Sequence, residues 1–139
     1  MKKWMILCTA VLTSITLTGC SDVAFAYTRN EAVTAIVGEA SGEGGRDRVK
    51  KLQAMTMVAE AIRNRRSLKG VYGLTAGRKE PRWVWNLAEQ AWENSAHTNL
   101  TKKATHWENV RAFGKPSWMK EMEITVTYLN HVFMRRKKC

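Results

Sequence analysis

The stretch from position 46 to position 66 contains neither glycine nor proline, and it limits the possible folds more than any other part of the chain. Apolar residues recur within it at offsets of three, four and seven, the pattern of an amphipathic helix packed on a core: Met55, Val58, Ala59 and Ile62. Its last turn, Arg63-Asn64-Arg65-Arg66, is basic, as the negative end of a helix dipole favours. We therefore predict one long helix here.

A shorter helix is predicted before it. Thr28 and Glu31 have the spacing of a capping box, and the apolar positions that follow share one helical face: Val33, Ile36, Val37 and Ala40. The glycines of the next segment, "SGEGG", make continuation of the helix costly. The helix should therefore end at Glu39 or Ala40, with Glu43 on the following loop.

The rest of the chain predicts a third helix and a small β element. Positions 82–94 show helical periodicity, after a long surface loop at positions 67–81. Positions 104–107 are predicted to form a short strand. Ile124, Val126 and Tyr128 alternate with threonines, and this strand should pair with positions 132–134. Three helices with an antiparallel ribbon define an α+β domain.

The N-terminus has the composition of an export signal. Lys2 and Lys3 precede an apolar run, positions 4–17, that is too short for a comfortable membrane span. The run leads to Leu-Thr-Gly-Cys20, which resembles a bacterial lipobox with a lipidated cysteine. A cut after Ala26, in an A-x-A pattern, is the alternative and would release a soluble secreted protein.

We accordingly expect three regions. Residues 1–20 form a lipoprotein-type signal, residues 27–134 one domain, and residues 135–139 a basic tail. We expect the protein to be anchored to a membrane through Cys20, with its domain facing the cell wall or periplasm. Cys8 lies in the signal and Cys139 in the tail, so no disulfide framework is predicted, and stability must come from packing.

Charge restricts the partners. The chain has 23 Lys and Arg against 12 Asp and Glu, a formal net charge of +11. Removing the two signal lysines leaves about +9, which favours an acidic partner. Nucleic acid is disfavoured by the export signal. The wide spacing of His97, His106 and His131 matches no metal site, and "GEGG" lacks the lysine of a phosphate-binding loop, so no metal or cofactor is expected.

Two carboxylates stand out in the glycine-rich segment "VGEASGEGG". Glu39 should lie at a helix end beside an apolar stripe, and a carboxyl group packed against apolar side chains keeps its proton to higher pH, as a general acid requires. Protonating the leaving oxygen of a glycosidic bond is a natural task for such a group. Glu43 is a second carboxylate or a group that orients the first. The alternative is that both are solvated glutamates at a helix end.

Three segments, which contain four of five family boxes in order, resemble one family. "GEASGEG", "MVAEAIRNR" and "ATHWENVRAFGKPSWMKEMEITVTYLNHVFM" look like the boxes of the SleB-type cell-wall hydrolases, the spore-cortex-lytic enzyme family. The resemblance covers positions 30–134. The chain departs from the family in a longer spacer after the first box, in the loop around positions 74–85, and in Met134, where the family has an aromatic residue.

The resemblance implies a lysozyme-like helical fold with a small β element, and cleavage of the glycan strands of peptidoglycan. It assigns Glu39 as the catalytic acid and matches Glu43 to the second glutamate of the first box. Five further residues match family positions and are predicted to bind substrate: Asn64, His106, Trp107, Trp118 and His131. From the residues alone, Trp107 and Trp118 are equally well explained as sugar platforms or as packing.

Three functions remain open at this point. A lytic transglycosylase needs only Glu39, because the 6-hydroxyl of N-acetylmuramic acid acts as the nucleophile. A muramidase-type hydrolase would use Glu39 with Glu43, two carboxylates roughly 5 to 9 Å apart. A non-catalytic peptidoglycan-binding lipoprotein would share the charge and the signal. The resemblance favours the transglycosylase.

Overall fold

The computed structural model describes residues 25–76 and 79–138. The predicted signal, the lipidation site Cys20 and the C-terminal Cys139 lie outside the described residues. None of the helices in the described part of the chain is long and apolar enough to span a membrane.

Three long helices build the core. Helix α1 (Arg29–Ala40) begins with the predicted capping box, in which Thr28 and Glu31 bond each other's backbone amides. Helix α2 (Arg48–Arg65) is capped by Asp47, whose carboxylate accepts from the amides of Val49 and Lys50. Helix α3 (Gly73–Ala76) is one turn, and α4 (Arg82–Asn94) is the third long helix. The predicted end of α1 and the predicted course of α2 and α4 are confirmed.

The core lies where α1, α2 and α4 meet one face of the sheet. Its largest fully buried side chains include Ile36, Met55, Ile62 and Phe133. Trp92 of α4 is buried, and the guanidinium of Arg63 stacks 3.7 Å from its ring centroid. Burying this apolar surface is the main term that holds the helices together.

The β element is a three-stranded antiparallel sheet of order β1-β3-β2. Its strands are β1 (His106–Asn109), β2 (Met122–Tyr128) and β3 (His131–Arg136). Between β1 and β2 the chain forms a single helical turn, α5 (Val110–Phe113), and a 3-10 helix, Ser117–Glu121. The α+β class is therefore confirmed.

A bulge corrects the predicted alternation in β2. Ile124 pairs with Met134 but Val126 pairs with Phe133, so Thr125 is an extra residue in the ladder. An extra residue reverses the side to which the preceding side chains point. Val126 consequently packs on the core, whereas Ile124 is 58% exposed.

Three other boundaries differ from the prediction. β1 begins at His106, two residues later than expected, and the predicted loop contains the turn α3. The expected basic tail is shorter, because Arg135 and Arg136 belong to β3. Arg135 forms an ion pair with Glu123 across the hairpin at 2.9 Å, so β3 stays paired with β2 beyond its apolar part.

Two side chains of α2 hold the segment that leads into β1. The buried carboxylate of Glu60 accepts from the amides of Leu100 and Thr101 at 2.9 and 2.8 Å, and also from the Thr101 hydroxyl. The amide of Asn64 donates to the carbonyl of Ala104 at 2.9 Å. These bonds fix the start of β1, the strand that carries His106 and Trp107.

Candidate functional site

A cleft of about 1060 Å³ opens between the end of α1, the loop before α3, and strand β1 with the segments that follow it. Among the predicted site residues, the cleft brings together six: Glu39, Glu43, His106, Trp107, Trp118 and His131. Residues separated by most of the domain therefore meet in one place. A concave site with apolar walls and a few converging polar groups is the usual form of a ligand pocket.

Glu39 is held at the floor of the cleft by donors from two other elements. Its Oε1 accepts from the backbone amide of Gly73 at 2.8 Å, and its Oε2 accepts from the indole Nε1 of Trp107 at 3.0 Å. The side chain is half-buried. Both oxygens are thus oriented, and the carboxyl group still faces the cleft.

The bond from Gly73 depends on an unusually close approach of two backbones. A Cβ on Gly38 would lie 1.9 Å from the carbonyl oxygen of Gly73, and a Cβ on Gly73 would lie 2.8 Å from Cγ of Glu39. Only glycine permits this contact. The important glycines of the site are therefore Gly38 and Gly73, which let the protein's own backbone approach Glu39.

Glu43 is buried, with 4% exposure, and its carboxylate faces the β2–β3 turn. It accepts from the backbone amide of Asn130 at 3.2 Å and from that residue's side-chain amide at 3.3 and 3.4 Å. The ammonium of Lys51 donates to the backbone carbonyls of Ser41 and Glu43. The glycine-rich loop is thereby tied to both α2 and the sheet.

His131 lies beside Glu43 at the inner end of the cleft. Its Nδ1 is 3.8 Å from Oε1 of Glu43, beyond hydrogen-bond distance, and has no hydrogen-bond partner among residues 25–76 and 79–138. Burial lowers the pKa of His131, although the carboxylates of Glu43 and Glu39 act in the opposite direction. The ring is therefore neutral near pH 7.

His106 and Trp118 form the outer wall. Their ring centroids are 5.8 Å apart, and Trp118 is 39% exposed. Burial, followed by the positive charges of Arg65 and Arg136, lowers the pKa of His106. Its Nδ1 lies 2.9 Å from the Thr105 hydroxyl.

Exposed aromatic side chains edge the cleft. Tyr72, just before α3, is 90% exposed, and Phe113, at the end of α5, is 79% exposed. With Trp118 they offer three flat apolar surfaces around the opening. These rings offer flat apolar contact surfaces to a ligand, whereas Trp107 packs on the core and uses its N–H inside the site.

Glu108 is a carboxyl group in the same cleft that was not among the predicted site residues. Its Oε1 accepts from the amide of Asn109 at 3.0 Å. Burial raises the pKa of Glu108; the bond from Asn109 opposes this, and the negative charge of Glu39 reinforces it. Its position in the sequence could have indicated a role, because Glu108 directly follows the His106-Trp107 pair. Strand alternation, however, predicts that the Glu108 side chain points to the face opposite Trp107.

Asn64 is the predicted substrate-binding residue that the structure separates from the cleft. Its amide is engaged with the carbonyl of Ala104, and it does not line the cavity. The hydrogen bond that Asn64 makes gives it a structural role, which is to fix the start of β1. Within the described part of the chain, no three His, Cys, Asp or Glu side chains converge as metal ligands.

Comparison of the chain with protein-family models, with curated proteins and with solved structures finds no match. The function proposed for the chain therefore rests on the cleft and on the motif resemblance.

Proposed function

We propose that the domain cleaves the glycan strands of peptidoglycan as a lytic transglycosylase, with Glu39 as general acid and base, in a lysozyme-like arrangement of helices and sheet. One observation carries the proposal. The carboxyl group of Glu39 lies in an aromatic-edged cleft, oriented through both oxygens by donors from separate elements. Glu60 is also bonded through both oxygens, but it is buried and holds the segment before β1, whereas the oriented carboxyl group of Glu39 faces an open cleft, as an acid that acts on a ligand requires.

The hydrogen bonds are compatible with both protonation states of the group. A protonated carboxyl oxygen donates one hydrogen bond and still accepts another. Glu39 can thus hold a proton towards the cleft while Gly73 and Trp107 keep their bonds.

The reaction then needs no second carboxylate. Glu39 donates its proton to the oxygen linking N-acetylmuramic acid to N-acetylglucosamine, and the glycosidic C–O bond breaks. The muramic 6-hydroxyl bonds to the anomeric carbon, and the Glu39 carboxylate takes the hydroxyl proton. The products are a 1,6-anhydro-muramic end and a free 4-hydroxyl on N-acetylglucosamine, and Glu39 is again protonated.

Glu43 is best explained as a positioning residue. Its carboxylate is engaged by the Asn130 amides, so it holds the β2–β3 turn against the loop that follows Glu39. Of the two roles open from the sequence, orientation is the one that these contacts support.

A hydrolase is the second candidate, and Glu108 favours it. A muramidase-type reaction needs two carboxyl groups beside the glycosidic bond, one of which keeps its proton. Glu108 shares the cleft with Glu39, and burial raises the pKa of Glu108. In this mechanism the second carboxyl group is Glu108, because the carboxylate of Glu43 is buried and faces the β2–β3 turn.

We further propose that the protein is exported and anchored through a lipid on Cys20. The ring of Phe25 lies 5.3 Å from Tyr27 and 6.2 Å from Trp92. A cut after Ala26 would remove this packing, whereas a cut before Cys20 would keep it. The positive charge would concentrate the enzyme on anionic peptidoglycan.

The test is mass spectrometry of fragments released from purified peptidoglycan by the full chain. Three variants accompany the wild type: Glu39→Gln, Glu108→Gln and Glu89→Gln. Glu89 is an exposed glutamate on α4 and serves as the matched control. The transglycosylase predicts 1,6-anhydro products that are lost only in Glu39→Gln.

Two other results would replace this mechanism. Reducing-end products that require both Glu39 and Glu108 would establish hydrolysis. Intact glycan, from a folded wild-type protein that still binds the wall, would leave a non-catalytic binding lipoprotein.

A further inference from the structure

Two arginines, Arg65 and Arg136, line the cleft together with His106. Arg65 is the last residue of α2, and Arg136 is the last residue of β3. His106 pairs with Met134 in the sheet, so Arg136, two residues further along β3, lies diagonally across from it. The helix and the sheet thus bring together cations that are far apart in the chain.

Neither guanidinium is neutralised by the described part of the protein. No carboxylate of residues 25–76 and 79–138 lies within ion-pair distance of Arg65 or Arg136. Arg65 donates to the carbonyl of Lys69, which leaves other N–H groups available. Glu121 lines the same cleft without pairing with either arginine.

Arg135, the residue before Arg136 in β3, differs from Arg136 in having a carboxylate partner. Arg135 is held by Glu123, with its Nε 2.9 Å from a carboxylate oxygen. Arg136 lies one position further, where the alternation of the strand turns its side chain to the other face. The sheet therefore neutralises the arginine outside the cleft and not the one that lines it.

We propose that Arg65, Arg136 and His106 form a subsite for a carboxylate of the glycan substrate. The subsite rests on the function proposed above, and its carboxylate ligand would set the position of the glycan strand in the cleft. Guanidinium groups bind carboxylates through paired, charge-assisted hydrogen bonds. Carboxylates occur on peptidoglycan in two places: the lactyl group of muramic acid, once its peptide is removed, and the stem peptide itself.

The position of the subsite relative to Glu39 gives it a function. His106 contacts the Trp118 ring on one side and is followed in β1 by Trp107, the indole donor to Glu39. A sugar on Trp118 with its carboxylate at the arginines would place the strand beside Glu39. The subsite would therefore select where along the strand the bond is cleaved.

The test measures binding without cleavage. Full-length Glu39→Gln protein is sedimented with insoluble peptidoglycan freed of wall polymers, with the same material after its carboxylates are amidated, and with glycan whose stem peptides have been removed by an amidase. Each measurement is repeated with two double variants, in which the Glu39→Gln protein also carries Arg136→Gln or, as the matched control, Arg135→Gln. Both substitutions remove one charge from β3, and exposed pairs such as Arg135 with Glu123 contribute little to stability.

Arg136→Gln should weaken binding about tenfold, the loss expected for one charge-assisted hydrogen bond, to the material that presents the recognised carboxylate. This is the native material if the carboxylate belongs to the stem peptide, and the amidase-treated glycan if it is the lactyl group. Arg136→Gln should leave binding to amidated material unchanged, and Arg135→Gln should bind all three materials as the parent does. Tighter binding to amidase-treated glycan would identify the lactyl carboxylate, and tighter binding to the untreated material the stem peptide.

Equal binding of native, amidated and amidase-treated material, or equal losses for both arginine variants, would overturn the subsite. Neither result bears on cleavage by the wild type. Conversely, a carboxylate-dependent binder that releases no fragments would refute the proposed function and keep the subsite.

Discussion

Replacing Gly38 by alanine tests the backbone contact on which the candidate site depends. A Cβ at this position would lie 1.9 Å from the Gly73 carbonyl oxygen and 2.4 Å from the Gly73 Cα. An ordinary contact needs roughly 3.4 Å or more, so helix α1 and the Gly73 backbone must separate by about 1 to 1.5 Å. The obstacle is backbone, which cannot rotate away as a flexible side chain can.

Two opposing effects decide the magnitude. Alanine stabilises a helix interior by about 1 kcal/mol relative to glycine. Overpacking costs about 1 to 3 kcal/mol or more, and a rigid neighbour favours the upper end. The bond from the Gly73 amide to Glu39 is stretched as well, and a hydrogen bond to a charged group contributes about 1.5 to 3 kcal/mol. We expect a net loss of at least about 2 kcal/mol, since overpacking outweighs helix propensity by that amount before the stretched bond is counted.

The assay combines thermal melting with release of peptidoglycan fragments. A loss of this size should lower Tm by roughly 8 to 10 °C, and the displaced donor should lower kcat/KM at least about tenfold. Gly42→Ala is the matched control, because a Cβ on Gly42 meets nothing within 4 Å. If Gly38→Ala melts at or above the wild-type temperature, as helix propensity alone predicts, the close approach of Gly73 to α1 is refuted.

Three further predictions concern the walls of the cleft. Trp107→Phe removes the donor to Glu39 but keeps an aromatic ring, so kcat/KM should fall about 10- to 100-fold; equal activity would exclude the bond. Since burial raises the pKa of Glu108, its ionisation opposes folding as pH rises, and melting curves should show Glu108→Gln gaining Tm over the wild type near pH 8 but not near pH 4. Arg136→Gln should raise the pKa of His106 towards its ordinary value in an NMR titration, because that guanidinium adds to the effects of burial and Arg65; an unchanged titration would place Arg136 away from the ring.

Several parts of the site could be predicted because their causes are local. The capping box at Thr28, the apolar spacing after it and the glycines beyond position 41 together place the end of α1 beside Glu39. The hairpin between β2 and β3 follows from alternation and a turn. These interactions span a few residues, so the sequence displays them directly.

The second carboxyl group could not be predicted in this way. Glu39 and Glu43 are close in sequence and both line the cleft, but the carboxylate of Glu43 bonds to the β2–β3 turn, and strand β1 adds Glu108 to the same cleft. Which side chains converge depends on how β1 docks against α2, through bonds made by Glu60 and Asn64 over some 40 residues of chain. Spacing along the sequence carries no information about such contacts.

By itself, the sequence determined the α+β class, the course of the long helices and the place of Glu39 at a helix end, because periodicity, capping and glycine content act within a few turns. Only the tertiary structure decided the bulge at Thr125, the contact between Gly38 and Gly73, and the presence of Arg65, Arg136 and His106 in one cleft. Each of these joins elements distant in the chain. The physical reason is that packing and strand register are set by the partner surface, and a residue's own neighbours do not specify that surface.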